Sequence, residues 1–283
     1  MTTAGTTSTI GMTTTQGISV TTIVPPAENS IRMLLPHTWL QSHRLLTRWR
    51  RDPMTVVQTL AYPVAMLVML DVVLGRQVTA FAGHDALYGT VPMVAVMSAL
   101  LGSLAGTITL RRECEAGLPG RLWTLPVHRA SALLSRSVAE AVRIAATTTV
   151  IVAIGMALGF RFHAGALAAL GFVAVPVIFG VGFAVLVTTI GLTWSNTGVV
   201  EAVSLLCTLL LFFNPGFVPV TAYPGWIRPL VENQPMTAAV ETMQAFSLGG
   251  PVAEPLVRIL AWSAVLIAGC AIPLVRRYRR ALC

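Results

Sequence analysis

Residues 91–115 read VPMVAVMSALLGSLAGTITLRRECE, and this stretch decides the fold class. It begins with an uncharged, largely apolar run from Val91 to Leu110, and it ends in two arginines and two glutamates. A helix of about 20 apolar residues is long enough to cross the hydrocarbon core of a bilayer. The stretch therefore predicts a membrane-spanning helix that leads into a charged segment at the membrane surface.

Similar charge-free runs recur along the 283 residues. Mean hydropathy is +0.75, and charged residues make up 11% of the chain, about half of the share usual in soluble domains. We predict an all-α integral membrane protein with one transmembrane domain over residues 53–275. Its six spans are expected near residues 54–75, 88–110, 141–160, 167–192, 200–215 and 255–275.

The charges predict the orientation, because all nineteen cations are arginines and most of them fall on alternate junctions between spans. Five precede the first span, six follow the second and four follow the sixth, whereas only four arginines fall on the other side. Arginine-rich loops face the cytoplasm, so both termini are expected there, including a basic tail over 276–283. The net charge of +8 thus reflects membrane topology, and no nucleic-acid partner is expected.

Several kinds of chemistry are excluded by residue type. Without lysine the chain has neither a P-loop lysine nor a Schiff-base amine, and we find no constellation for hydrolytic or redox catalysis. The four cysteines and five histidines show no metal-ligand spacing, so neither a metal nor a cofactor is expected on this chain. Transport, channel formation, scaffolding or a membrane enzyme with scattered carboxylates remain.

Before the first span, residues 1–30 are expected to form a disordered, threonine-rich cytoplasmic tail, and 35–52 an amphipathic helix. A helical projection places the apolar side chains of Leu35, Trp39, Leu46 and Trp49 in one arc, nearly opposite Arg44, Arg48 and Arg51. Such a helix is expected to lie along the inner leaflet and to end at Asp52-Pro53. The alternative is a short anchor with no part in energy coupling.

The order of several short motifs resembles the membrane subunits of ABC-2 type ATP-binding-cassette exporters, and is most similar to the daunorubicin-resistance branch of actinobacteria. The resemblance departs at Leu118-Pro119-Gly120, where that family usually has a threonine and an acidic residue. The matching positions are Arg50-Arg51-Asp52-Pro53, Tyr62-Pro63, Tyr88 with Pro92, the loop residues Arg112, Glu113, Glu115, Gly117, Leu122, Pro126 and Val127, and the segments Pro224–Arg228 and Asn233–Thr237.

This resemblance implies that the amphipathic helix and the loop after the second span rest on a separate ATPase subunit. Two ATPase copies and a second permease subunit, identical or paralogous, are implied, with ATP and magnesium bound by the ATPase. In the alternative interpretation, the arginines only fix topology and the glutamates are solvated. The implied coupling residues are Trp39, Arg44, Arg48, Arg112, Glu113, Glu115, Gly117 and Arg121.

Between the fifth and sixth spans, residues 214–255 are too apolar for a soluble loop, and we expect short re-entrant helices on the outer side. The resemblance implies that this region caps the exit of the transport path, with Trp226, Arg228, Glu232 and Glu241 near an outer gate. A plain surface loop is the alternative. Glu140 and Arg143 are expected to form a local pair at the start of the third span.

The sequence thus predicts a plasma-membrane permease subunit that exports hydrophobic drugs or lipids with energy from a separate ATPase. An ion-gradient-driven secondary transporter is the main alternative, although it would need ionisable residues near mid-membrane and an inverted repeat. A membrane-embedded lipid-processing enzyme would need clustered acids, and the eleven acids here are dispersed.

Overall fold

The computed structural model describes residues 31–82, 85–115, 131–193 and 223–280, together with a few positions between 202 and 216. Within these residues the regular structure is helical and no strand occurs. The predicted tail over residues 1–30, most of the loop after the second span and most of the fifth span near 200–215 lie outside them. The helices are α1 (Ile31–Arg51), α2 (Pro53–Val56), a π-helical turn (Val57–Ala61), α3 (Tyr62–Ala82), α4 (Leu87–Glu115), α5 (Ser131–Leu158), α6 (Gly165–Thr193), α7 (Arg228–Asn233), α8 (Pro235–Leu248) and α9 (Ala253–Arg280).

Five helical segments within the described residues are long and apolar enough to cross a membrane. Four of them start within three residues of the predicted spans, but the third begins at Leu134 rather than near residue 141. The pair Glu140 and Arg143 therefore lies inside this segment and not at its start. The segments are Pro53–Val73, Leu87–Cys114, Leu134–Leu158, Gly165–Gly191 and Ala253–Cys270.

The chain breaks between α1 and the first span at Asp52, as the sequence predicts. Its carboxylate accepts hydrogen bonds from the backbone N–H groups of Met54 and Thr55 and from the Thr55 hydroxyl, and so caps α2. These hydrogen bonds, led by that of the Thr55 hydroxyl, lower the pKa of Asp52. Pro53 occupies the first helical turn, where its missing N–H breaks no bond.

A π-helical turn then separates α2 from α3. The N–H of Tyr62 donates to the carbonyl of Val57, five residues back, so the helix is locally wider than an α-helix. Pro63 follows and has no N–H to donate, which accounts for the interrupted bonding at this point. The first span is thus a helix with a built-in irregularity next to α1.

Helix α6 lies at the centre of the bundle and packs against α4, α5, α8 and α9. Phe172 and Phe179 on α6 are almost fully buried, and Phe160 packs edge-on against Phe162 and tilted against Phe172. Helix α4 is largely enclosed by these neighbours, whereas the first span and α9 bury only 17% and 11% of their most apolar stretch. The outer faces of α3 and α9 are therefore free to contact lipid or another chain.

Helices α7 and α8 occupy the segment for which we expected short outer helices. At 1.5 Å per residue, the 14 residues of α8 measure about 21 Å, which is too short for a helix that crosses about 30 Å of hydrocarbon. Even so, α8 buries most of its side chains against α4, α6 and α9, including Met236, Val240 and Met243. This packing makes α8 part of the bundle and not a surface loop.

One close backbone contact of α4 depends on a glycine. A Cβ atom on Gly89 would collide with the backbone carbonyl of Gly216, whereas a Cβ on Gly106 in the same helix would meet nothing closer than 4.0 Å. Backbone cannot yield as the tip of a flexible side chain does. The two glycines therefore form a matched pair of test positions.

We predict that Gly89→Ala destabilises the folded chain by about 1 to 3 kcal/mol, the usual effect of overpacking, and that Gly106→Ala does not. Thermal unfolding of the detergent-solubilised proteins, followed by intrinsic fluorescence, measures the difference. Equal melting temperatures for the two variants would contradict the close contact at Gly89.

Candidate functional site

Glu113, near the end of α4, binds two arginines from two other helices. Its Oε1 atom lies 2.7 Å from Nη1 of Arg48 on α1, and its Oε2 atom accepts from Nη2 of Arg136 on α5. The Glu113 side chain is only 9% exposed, whereas that of Arg48 is 63% exposed. A carboxylate this buried is stable only when paired, so this Arg48–Glu113–Arg136 cluster, here called the clasp, joins α1, α4 and α5.

Polar contacts hold α1 against the first turns of α5. The Gln41 side chain donates to the Ser131 hydroxyl at 3.0 Å, and the Ser42 hydroxyl lies 3.1 Å from the Ser135 carbonyl. These residues are buried, so the contacts fix the register of α1 on α5. That register places Arg48 opposite the end of α4.

A cleft of about 850 Å³ lies beside the clasp, between α1, the π-helical turn, α4, α5 and α6. Trp49 lines it and donates its indole N–H to the Thr59 hydroxyl at 3.3 Å, which links α1 to the π-helical turn. Arg112 and Tyr62 also line the cleft. Interruptions of α-helical bonding, such as this π-helical turn, are frequent at functional sites.

A second buried ion pair lies deeper in the same cleft. Arg143 Nη2 is 2.5 Å from Glu140 Oε1, and the Ser103 hydroxyl of α4 donates to the same oxygen at 2.6 Å. The Arg143 guanidinium presses against Gly102, where any side chain would collide with it. The sequence correctly predicts the pair. Gly102 and Gly106 of α4 face these charged side chains and no neighbouring helix backbone.

The predicted coupling residues do not all meet. Arg48 and Glu113 are in the clasp, whereas Trp39 and Arg44 are exposed on α1, and Arg112 is exposed without an ion pair among the described residues. Glu115 ends α4, and its side chain is not described. Gly117 and Arg121 lie outside the described residues.

Sequence reasoning missed Arg136 as a partner of Glu113. The two residues are 23 positions apart, and Arg48 is 65 positions from Glu113, so no helical spacing signals the contacts. The apolar side chains that the sequence places on one face of α1 also lie in two different environments. Leu35 and Trp39 are exposed, but Trp49 packs into the cleft.

At the other end of the bundle, the predicted outer-gate residues fall into two groups. Trp226 is 82% exposed, and Arg228 pairs with Glu232 along α7 at 2.8 Å. Glu241 on α8 instead pairs with Arg258 on α9 at 2.7 Å, and Arg258 also donates to the Glu232 carbonyl at 3.2 Å. Arg258, which sequence reasoning did not assign to this site, thus connects α7, α8 and α9.

Comparison with known protein families agrees with this architecture of long apolar helices and a charged end. The ABC-2 type transporter family matches residues 37–247. This chain belongs to that family. It is therefore a membrane-embedded transporter subunit, and the matched region includes the clasp, the cleft and most of α8.

Individual relatives match nearly the whole chain. The sequence is 43% identical over 270 residues to the "Probable doxorubicin resistance ABC transporter permease protein DrrC" of Mycobacterium tuberculosis, with 95% of this chain and 98% of the relative covered. It is 24% identical over 258 residues to the "Daunorubicin resistance ABC transporter permease protein DrrB1" of Streptomyces coeruleorubidus, with 90% of this chain and 89% of the relative covered. Both relatives are named as permeases of ABC transporters, and the expected family is confirmed.

The Glu241–Arg258 pair has a consequence for pH dependence. Burial raises the pKa of Glu241, and the nearby carboxylates of Glu254 and Glu232 add to this, while the charge of Arg258 opposes it. A raised pKa in the folded state means that folding favours the protonated carboxyl. Its contribution to stability is therefore fully present below the ordinary glutamate pKa and is lost as pH rises through the raised value.

We predict that Glu241→Gln makes the protein at least as stable as the natural chain at neutral pH, and that this advantage shrinks on acidification through the raised pKa. Melting temperatures measured across that pH range test this. Glu232→Gln removes only the smallest contribution to the raised pKa of Glu241 and is expected to retain most of the pH dependence of the natural protein. A Glu241→Gln protein whose advantage grows as pH falls would contradict the prediction.

Proposed function

We propose that this chain is the permease subunit of an ATP-driven exporter that moves hydrophobic drugs or lipids out across the plasma membrane. Support comes from the family, from two drug-resistance permeases that match nearly the whole chain, and from the long apolar helices. ATP would be hydrolysed on a separate subunit in two copies, which holds the nucleotide and magnesium. A second permease subunit, identical or paralogous, would complete the path.

In this proposal the chain has six spans, of which the fifth lies near residues 200–215, mostly outside the described residues. The arginine-rich end, which carries the clasp, faces the cytoplasm, as do both termini. Helix α1 lies along the inner leaflet, with exposed Leu35, Trp39 and Leu40 toward lipid. Helices α7 and α8 re-enter the outer leaflet and form the outer gate.

The clasp is the observation that carries the coupling part of the proposal. One buried carboxylate at the end of α4 holds both α1 and the start of α5, so a displacement of any one of these three helices is transmitted to the other two. Coupling requires contacts that differ between two states of the transporter. The half-exposed Arg48 and the exposed Arg44 and Arg112 lie where an ATPase subunit could make such contacts.

The negative charge of the Glu113 carboxylate, and not the size of its side chain, holds the clasp together. Removing one partner from a buried ion pair leaves an uncompensated charge and typically costs about 3 to 5 kcal/mol when both groups are buried. Arg48 is mostly in water, so its share is smaller, whereas Arg136 is only 25% exposed. Neutralising Glu113 therefore weakens the α4–α5 connection more than the α1–α4 connection.

We predict that Glu113→Gln lowers ATP-dependent transport about tenfold or more while the assembled complex still hydrolyses ATP. The amide retains the size of the carboxyl but cannot bind two guanidinium groups as an anion does. Inverted membrane vesicles that contain the chain and its ATPase, supplied with ATP and a fluorescent hydrophobic drug in the medium, measure drug uptake and hydrolysis together.

Glu254→Gln serves as the control, because Glu254 is an exposed glutamate in the first turn of α9, outside the clasp and outside the predicted outer-gate residues. It is expected to leave the ratio of transport to hydrolysis unchanged. Full coupling in the Glu113→Gln complex would remove the clasp from the coupling mechanism. Transport that persists with an inactive ATPase and follows a proton gradient would overturn the ATP-driven proposal.

The orientation has a direct test in cysteine labelling. In a background without the four natural cysteines, Arg44→Cys and Trp226→Cys place one thiol at each end of the molecule, both at exposed positions. We predict that a membrane-impermeant maleimide labels Trp226→Cys in intact cells and Arg44→Cys only in inverted vesicles. The reverse pattern would place the clasp outside the cell and rule out an ATPase at that end.

A further inference from the structure

The cleft beside the clasp has a positively charged opening. Arg48, Arg112 and Arg136 line it, and the described acids that line the same end are Glu113 and Asp52. Glu113 is shared by two of the arginines, and Asp52 already accepts hydrogen bonds from Thr55 and from two backbone N–H groups. Three guanidinium groups and two carboxylates, both already paired or hydrogen-bonded, leave net positive charge on the described residues at this end of the cleft.

The inner part of the cleft is mostly apolar, with one buried ion pair part-way along it. Val94, Met97 and Leu101 of α4 and Val185 of α6 line the walls. The Glu140–Arg143 pair lies at the level of Ser103, nine residues along α4 from Arg112, which corresponds to about 14 Å. A ligand that fits the whole cleft therefore has an anionic end, an apolar body and room for polar atoms part-way along.

We propose that this cleft binds one anionic phospholipid of the inner leaflet, with its phosphate at Arg112 and the neighbouring arginines and its acyl chains along α4. Basic pockets between membrane helices on the cytoplasmic side bind anionic lipid headgroups in this way. The lipid is a resident ligand of the chain, and the inference requires neither transport of that lipid nor ATP.

A free anion does not suit the site as well. The volume of about 850 Å³ greatly exceeds what a hydrated phosphate needs, and the apolar walls offer such an ion no partners. An apolar molecule alone would leave Arg112 and the net positive charge without an anion. An anionic phospholipid satisfies both parts of the cleft.

The test uses the full-length chain in nanodiscs that contain either phosphatidylglycerol or phosphatidylcholine, followed by release into detergent and mass measurement of the intact protein with bound lipid. We expect one phosphatidylglycerol to be retained and phosphatidylcholine to be lost. Arg112→Gln is expected to weaken retention about fivefold, the effect of one cation near an anionic surface. Arg51→Gln, an exposed arginine of α1 outside the cleft, is expected to retain the lipid.

A second pair of variants tests the position of the acyl chains. A side chain on Gly106 points into open cleft, so Gly106→Ala is expected to bind the lipid normally and Gly106→Leu to exclude it. Unfolding temperatures of the two variants identify any loss of fold. Equal retention of both lipids, retention by Gly106→Leu, or displacement of the lipid by millimolar inorganic phosphate would each overturn the proposal.

Discussion

A carboxylate withdrawn from water must be matched by cations, and at Glu113 that requirement determines how three helices meet. The side chain lies near the end of α4 with little exposure, so its negative charge is compensated only when guanidinium groups of other helices contact it. These groups belong to Arg48 on α1 and Arg136 on α5, two helices that no short chain connection holds together. The positions of α1 and of the α4–α5 pair are therefore linked through one charged group.

The same requirement recurs deeper in the bundle, where it constrains the helix backbone as well. Arg143 and Glu140 neutralise each other, but the bulk of the guanidinium fits only because α4 has a glycine at position 102. Charged residues inside a membrane protein usually face a cavity or the bundle interior. Here they face a cleft that opens toward the arginine-rich end, so the charged groups of the third span and the clasp border one continuous cleft.

The sequence predicted the class of fold well, because membrane spans depend on composition over about 20 residues and that signal is strong. The helix break at Asp52 was also predictable from a cap residue followed by proline. The start of α5 was not, since Arg136, Glu140 and Arg143 read as loop or boundary residues. Arg136 instead pairs with Glu113 of α4, a long-range contact that leaves no periodic pattern in the sequence, whereas Glu140 and Arg143 neutralise each other within α5.

The two ends of the bundle differ in how many cations surround their paired carboxylates. At the arginine-rich end, Glu113 has two cations and buried polar contacts fix α1 to α5. At the opposite end, burial outweighs the single cation beside Glu241 and raises the pKa of that carboxyl. Helix α6 packs against both α5 and α8, so it connects the clasp end of the bundle to the Glu241–Arg258 pair.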